Sequence, residues 1–500
     1  MSRAPIALVA LVLLLSSCRD GPLAATPTPT PAQGGGTLRV ALPAEITTLD
    51  PWAADAASVV ATRQIFDTLL GIDPVSSSAV PGLAVSWQGS NDGATWTLKL
   101  RDGIRFHDGE PFDAAAVVAS FERGRSTLSY RTLFDEPSLI ARVQAVDVRT
   151  VRFDLRAPFG PFLARLASPQ TAISRGTSGT GAFVAAAEAL APDGTLTLRR
   201  SDSYWRRDAA GKQLPLLDGL ALRPVQDAAS RLAELRAGRA DVALDLPVAQ
   251  ASAARSDPSL TLLVRREAVL ASLGIDPTEA PFDRPEVRRA VSMTVGVPSA
   301  LDAVYAGFIR RASQVVPAGT LGYDDTVSPQ SLDVSAAKKI LSDARIPTPV
   351  SADLAYPSLP TGAYPDPQRI AQSIAADLGN IGIVARLRAV DPHALRDGTA
   401  TFTLDTTPVG LDPDDIFWPL FGSDDPASGS LVVGLLRKAR AEADPTKRAE
   451  LYKQVSKIAR TDALRVPLLF ADRISVATAR LAGHTPGQGI ESFGTVWLRP

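Results

Sequence analysis

Cysteine is almost missing from this 500-residue chain, which holds only Cys18. A disulfide framework is therefore impossible, and the part that folds has neither a cysteine-based metal site nor a catalytic thiol. Histidine is nearly as scarce, with only His107, His393 and His484. His107 stands in the turn Phe106-His107-Asp108-Gly109, where a histidine serves as a turn or capping residue. The other two lie in Pro/Gly-rich loop text with no partner at ligand spacing. H-E-x-x-H and G-x-S-x-G are both absent, which removes the common metalloprotease and nucleophile-elbow arrangements. Ser335-Ala-Ala-Lys338 fits S-x-x-K, but neither S-D-N nor K-T-G accompanies it. Gly179-x-Gly181 lacks the third glycine of a nucleotide loop.

An excess of one charge is missing too: 52 basic residues face 53 acidic ones. Nothing in that balance favours nucleic acid or another polyanion as partner. There are no internal repeats. The apolar run Ile6–Leu15 is too short to span a bilayer.

What is present points to a loop-rich α/β protein, with 40 prolines, 36 glycines and enough chain for two or three domains. Arg3, the apolar run and Leu15-Ser16-Ser17-Cys18 together match a bacterial lipobox, in which cleavage precedes a lipidated cysteine. Two or three acyl chains, at about 0.8 kcal/mol per buried CH₂, hold a protein where one chain would not. Thr26–Pro31 and Gly34–Gly36 then read as an extended and a flexible tether. The expected location is the outer face of the cytoplasmic membrane, in the cell envelope or periplasm.

The most informative stretch runs from Pro81 to Arg123. Trp96, Leu98 and Leu100 alternate with Thr95, Thr97 and Lys99, the period of a strand with one buried face. Asn91-Asp92-Gly93, Arg101-Asp102-Gly103 and Asp108-Gly109 are turns whose glycines tolerate positive φ. Ile104 and Phe106 resume the alternation, and Asp113 is placed to cap a helix over Ala114–Phe121. Further strands are predicted over Thr37–Leu42, Val148–Leu155, Ile383–Leu387 and Pro467–Phe470. Further helices are predicted over Ala57–Leu69, Asp333–Ala344 and Ile370–Gly382, and after the Asp444-Pro445 cap.

The text of this stretch, PGLAVSW…DGATWTLKLRDGIRFHDGEPF…SFER, resembles the signature region of the family 5 extracellular solute-binding proteins. These are the oligopeptide- and dipeptide-binding components of ABC importers. Ala116 departs from the pattern, since the family favours Asp there. The resemblance continues in order through Leu49-Asp50-Pro51, Gly179-Thr-Gly-Ala-Phe183, Tyr204-Trp205, Leu217-Asp-Gly-Leu220, the Pro281–Ala290 helix entry and Tyr305-Ala-Gly307. It covers roughly residues 35 to 500.

The resemblance implies a two-lobed α/β type II periplasmic-binding-protein fold with an extra N-terminal subdomain. The expected parts are a signal peptide over 1–17 and a tether over 18–36. Lobe I takes 37–50, 180–265 and 470–500, the extra subdomain 51–179, and lobe II 266–469. Strands near Leu263–Ala271 and Leu464–Phe470 would join the lobes. The implied function is capture of a peptide or similar small solute between the lobes and delivery to ABC permease subunits. It needs no cofactor, metal or catalytic residue, and the expected form is a monomer. A sensory or chaperone-like lipoprotein and a secreted hydrolase are the alternatives. Ligand contacts are expected at Thr48, Trp52, Thr180, Phe183, Asp276, Asp405, Thr406 and Trp418. In peptide-binding relatives an acid in the region of Asp412-Pro413 pairs with the peptide's α-amino group. Here Val409 takes that place, with Asp405 as a substitute in a shifted register. Asp412–Asp415 reads as a helix start.

Overall fold

The computed structural model describes residues 34–73, 78–134, 139–296, 305–328, 331–392, 394–397, 400–422, 429–484 and 492–499. Cys18, the tether up to residue 33 and His393 lie outside them. Among the described residues no helix is long and apolar enough to cross a membrane.

One eleven-stranded mixed sheet runs through the molecule, and two long strands make it continuous. Leu260–Ile275 and Arg465–Thr478 pair antiparallel along most of their length. At one end Arg465–Thr478 also pairs with Val242–Ala243, which lies beside Thr37–Leu42, Gly219–Pro224, Leu196–Arg200 and Phe183–Leu190. At the other end Leu260–Ile275 pairs with Phe402–Pro408, followed by Val350–Pro357 and Ile383–Val390. Each half has its own core. Leu38, Val40, Leu198, Leu220 and Leu222 belong to one, and Leu273, Val291, Leu354, Ile374 and Phe402 to the other.

Between the halves the register of the two long strands slips from Arg265 to Val269. Glu267 takes φ 51° there, and its N–H donates to Asp472 (3.0 Å), whose carboxylate also pairs with Arg266 (2.9 Å). A bulge of this kind bends a strand, so the two halves meet at a built-in angle.

The extra subdomain carries a four-stranded antiparallel sheet in the order Ala84–Gly89, Thr95–Leu100, Thr150–Leu155, Ile140–Asp147. Trp96, Leu98 and Leu100 face inward as their alternation requires, against Val117 and Phe121 of the helix Ala114–Gly124. Asp113 caps that helix through the Ala116 N–H (2.8 Å). Gly103 sits at φ 72° in its turn, where a side chain would be strained. Ile104 and Phe106 are buried as expected, yet Arg105 makes only an isolated bridge to Pro111, so a turn rather than a strand places them.

The predicted helix from Ala57 to Leu69 ends earlier, spanning Ala56–Ile65, because the chain extends at Phe66 and enters the short strand Leu70–Ile72. Ala61, Ile65 and Phe66 pack into the core of the first half rather than that of the subdomain. Asp444 caps its helix as predicted, and Asp333 and Asp366, not read as caps from the sequence, do the same for theirs, the second helix spanning Pro367–Gly379 rather than starting at Ile370.

Candidate functional site

The helix Ala56–Ile65 lies over the two long strands just short of the bulge. Between them is a solvent-open cavity with about 620 Å³ of empty space. Ala56, Val59, Val60 and Arg63 form the helical wall; Leu263, Arg265, Arg473 and Ser475 form the floor, and Leu244 and Asp245 the rim. Period 2 explains the floor, since Leu263 and Arg265 share one face of their strand and Arg473 and Ser475 share one face of theirs. Asp245 adopts φ 52°, a left-handed conformation that aspartate tolerates better than most residues. Its N–H donates to the Ser475 hydroxyl (3.3 Å), and its carbonyl accepts from Arg231 (3.0 Å). Held this way, its carboxylate receives both Nε and Nη2 of Arg473. Arg265 donates to the Val409 carbonyl (3.4 Å), linking the floor to the second half of the sheet.

None of the eight ligand contacts expected from sequence lines this cavity. Trp52 is fully buried in the subdomain core, edge-on to Phe121 (5.4 Å) and beside Tyr130 (5.6 Å), so no ring face is left for a ligand. Phe183 is likewise buried in the core of the first half. The Thr180 hydroxyl donates to Asp67 (3.0 Å) inside the fold, and that of Thr48 accepts from the Asp50 N–H (3.1 Å). Asp276 folds its carboxylate onto Thr278 in a turn (2.8 Å to its N–H). Asp405 is not placed to receive a solute ammonium: Arg465 engages both of its oxygens (2.5 Å), and Ser272 donates to one (2.8 Å). Its neighbour Thr406 lies opposite Ala271 in the sheet. Val409 packs against the helical layer around Phe417 and Leu436.

Trp418 stacks on Arg440, whose guanidinium lies 3.8 Å from its ring and 5.2 Å from that of Phe159. It thus belongs to the contact between the subdomain and the second half. The Asp412–Asp415 stretch is the centre of that contact. It does begin a helix, with Asp412 accepting from the Asp414 N–H (2.8 Å), but the sequence hid its ion pairs. Arg448 grips Asp412 with two nitrogens (2.7 and 2.5 Å), both residues being buried. Arg165, from the subdomain, reaches Asp414 (3.1 Å) and Asp415. Burial pushes the Asp414 carboxyl up to about 6, against the opposing pull of Arg440 and Arg165.

This contact supports a prediction. Arg165→Ala would leave Asp414 and Asp415 facing each other without the subdomain cation, and a buried pair broken from one side costs about 3–5 kcal/mol. Moving the second half away from the subdomain hydrates both carboxylates and relieves most of that cost. The variant should therefore show a larger radius of gyration in small-angle X-ray scattering than the wild type. An unchanged scattering curve would show that the pair does not hold these parts together.

His107 joins the subdomain to the first half. Its Nδ1 accepts from the Gly179 N–H (3.4 Å), and its Nε2 donates to the Gly181 carbonyl (2.9 Å), a pattern that requires the neutral ring. Burial pushes its pKa down. Ser335 and Lys338 lie exposed on the helix Val334–Asp343. Among the described residues no group of three or more His, Cys, Asp or Glu is placed to hold a metal ion.

Two sheet halves joined by a pair of strands, with a cavity beside the joint, define a two-lobed binding protein. The description "Bacterial extracellular solute-binding proteins, family 5 Middle" matches residues 78–428, and the chain belongs to that family. It is an extracytoplasmic solute receptor that serves an ABC importer. The chain is 27% identical over 477 residues to the glutathione-binding protein GsiB of Shigella flexneri, covering 89% of this chain and 91% of that one. Its fold is similar to that of HbpA2 from Haemophilus parasuis, with a TM-score of 0.83 and 24% identity over 93% of this chain and all of that one. It is also similar to the periplasmic binding protein DppA from Helicobacter pylori, in complex with the peptide STSA. There the TM-score is 0.73 and the identity 24%, covering 93% of this chain and 98% of that one.

Proposed function

We propose that this protein captures a peptide-sized solute in the cavity beside the lobe junction and carries it to its permease as a monomer. Cys18 would hold it to the membrane through acyl chains. The observation that carries this reading is the position of the cavity, floored by the two long strands that run from one lobe into the other and roofed by a helix packed on lobe I. A solute seated there touches the joint directly, so differential contact with open and closed forms biases their equilibrium. In this reading lobe I includes the helix Ala56–Ile65 together with 37–50, 180–265 and 470–500. The subdomain takes the rest of 51–179, and lobe II takes 266–469.

Binding without turnover fits the described side chains, since His107 is committed to two backbone groups and Ser335 and Lys338 stand away from the cavity. The ligand is a peptide or a peptide-like molecule such as glutathione. It is not gripped by an acid at 405–409, because Asp405 is held by Arg465 and position 409 is valine. A thermal-shift panel of oligopeptides, glutathione, sugars and metal chelates tests this. A true ligand at about 100 Kd should add about 2.7 kcal/mol of stability. No shift with any class, together with hydrolysis of a generic ester or peptide, would overturn the receptor reading.

A further inference from the structure

We propose that the contact between the subdomain and lobe II is a proton-linked latch on lobe closure: closing draws a proton onto the Asp412–Asp415 carboxylates, and opening releases it. It rests on the open–closed equilibrium of the receptor reading, and adds the hydrogen ion as a second ligand of that equilibrium.

The parts that meet here belong to different moving bodies. The subdomain is fastened to lobe I: His107 bonds the Gly181 carbonyl (2.9 Å), and Asp67 receives the Thr180 hydroxyl (3.0 Å) and the Trp205 indole N–H (2.9 Å). Lobe II hangs on the far side of the bulge. It reaches the subdomain through the helices Asp414–Phe421 and Gly429–Ala441. Trp418 and Phe159 both lie against the Arg440 guanidinium, and the Arg440 carbonyl accepts from the Gly160 N–H (2.5 Å). Bending at the bulge therefore parts Arg165 from Asp414 and Asp415.

The balance of charge gives the proton its reason. Lobe II brings three carboxylates to this contact, Asp412, Asp414 and Asp415, with two guanidiniums, Arg440 and Arg448. The third guanidinium, Arg165, comes from the subdomain and is shared between Asp414 and Asp415. Asp414 is the most deeply buried of the acids. Around it stand Asp412 and Asp415 from its own turn, Arg440 and Arg448 from the next two helices, the Tyr452 hydroxyl and Arg165. Burying neighbouring carboxylates together disfavours the ionisation of all of them. Accordingly the Asp414 carboxyl is raised to about 6, burial outweighing the pull of Arg440 and Arg165. Opening returns it to water, where a carboxyl titrates near about 3.9. The closed form thus holds the proton more tightly, and the closed-to-open ratio should rise about tenfold between pH 7.5 and pH 5. A solute held between the lobes gains affinity in acid by up to that factor, and is released more readily at neutral pH.

Small-angle X-ray scattering of the full chain without solute, at pH 7.5 and pH 5, tests this on four proteins: wild type, Asp414→Asn, Arg165→Ala and the double variant. Asparagine keeps an oxygen for Arg165 but takes up no proton. On acidification the wild type should contract toward the radius of Asp414→Asn, which should be the same at both pH values. Arg165→Ala, expanded at pH 7.5, should contract at pH 5, because a protonated carboxyl needs no cation. Adding Asp414→Asn should remove that response. The Arg165→Ala pair keeps the effect visible where the wild type is already closed at pH 7.5, and circular dichroism checks that each variant folds. A pH response that survives Asp414→Asn places the proton elsewhere and overturns the latch. So does an Arg165→Ala protein that stays expanded at pH 5, with the open–closed reading left standing. Equal radii for all four proteins at both pH values mean that the lobes do not part, and both readings fall.

Discussion

Arg448→Ala should destabilise the protein by about 3–5 kcal/mol, the usual cost of breaking a buried pair from one side. Arg448 is nearly all buried, and it donates to Asp412 twice, to the Ala439 carbonyl (3.1 Å) and to the Tyr452 hydroxyl (3.0 Å). Tyr452 in turn stacks on Phe417 at 4.9 Å, so one guanidinium ties three helices of lobe II together. Truncation leaves the Asp412 carboxylate buried with its main cation gone. Urea denaturation of the two proteins side by side measures the loss.

The pH dependence of that difference is also fixed in sign. Burial pushes the Asp412 carboxyl up, but the charge and hydrogen bonds of Arg448 outweigh it and hold the pKa below the ordinary value. A carboxyl depressed in the folded state contributes stability that is complete above its unfolded pKa, about 3.9, and is lost as pH falls below it. The gap between wild type and Arg448→Ala should therefore narrow as pH falls, beginning where the variant's Asp412, raised by burial once Arg448 is gone, takes up its proton. Asp414 has the opposite sign. Its pKa is raised to about 6, so the folded state takes up its proton first, and its contribution declines as pH rises from about 4 to about 6. A gap that held constant down to acid pH would show that Arg448 does not act through Asp412.

The second large effect is expected at Gly179. A Cβ there would lie 2.0 Å from the Ile65 carbonyl oxygen and 2.6 Å from the Phe66 ring. Its neighbours at Gly181 are equally close, 2.5 Å to the Ile65 carbonyl carbon. The contact is backbone on backbone, and Gly181 N–H donates to the Ile65 carbonyl at 2.9 Å, so neither side can retreat without breaking bonds. Overpacking costs typically about 1–3 kcal/mol, and an unyielding neighbour puts Gly179→Ala at about 3 kcal/mol or above. His107 bonds both glycines, so its grip should loosen as well. Gly434→Ala makes the control. That glycine is inside the helix Gly429–Ala441 with nothing within 4 Å of its missing Cβ, and the change should raise stability by about 0.5–1 kcal/mol. Denaturation midpoints moving in opposite directions would establish the close approach; a neutral Gly179→Ala would refute it.

Local text carried much of the subdomain. The alternation of Trp96, Leu98 and Leu100 and the cap at Asp113 each depend on a few adjacent residues, as does the cap at Asp444 in lobe II. Errors arose where a tertiary neighbour overrode the local pattern. The spacing of Val60, Ile65 and Leu69 suits a helix, but at Phe66 the chain extends, and a strand follows at Leu70. Trp52 reads as a ligand contact from its place in the family pattern, and only packing on Phe121 and Tyr130 shows that it is core. Asp405 offers a carboxylate in the right region, but its partner Arg465 is sixty positions away, on the strand beyond Leu260–Ile275.

By itself, then, the amino-acid sequence determined the family, the α/β class and the helix caps, because these rest on short-range periodicity and on motifs read within one stretch. Tertiary structure alone decided which residues line the cavity beside the lobe junction. Arg63, Asp245, Arg265 and Arg473 come from four separated segments, and Arg165 lies 249 positions from Asp414. Charge acts through space rather than along the chain, so only the strand register and the packing of one helix could bring these groups together.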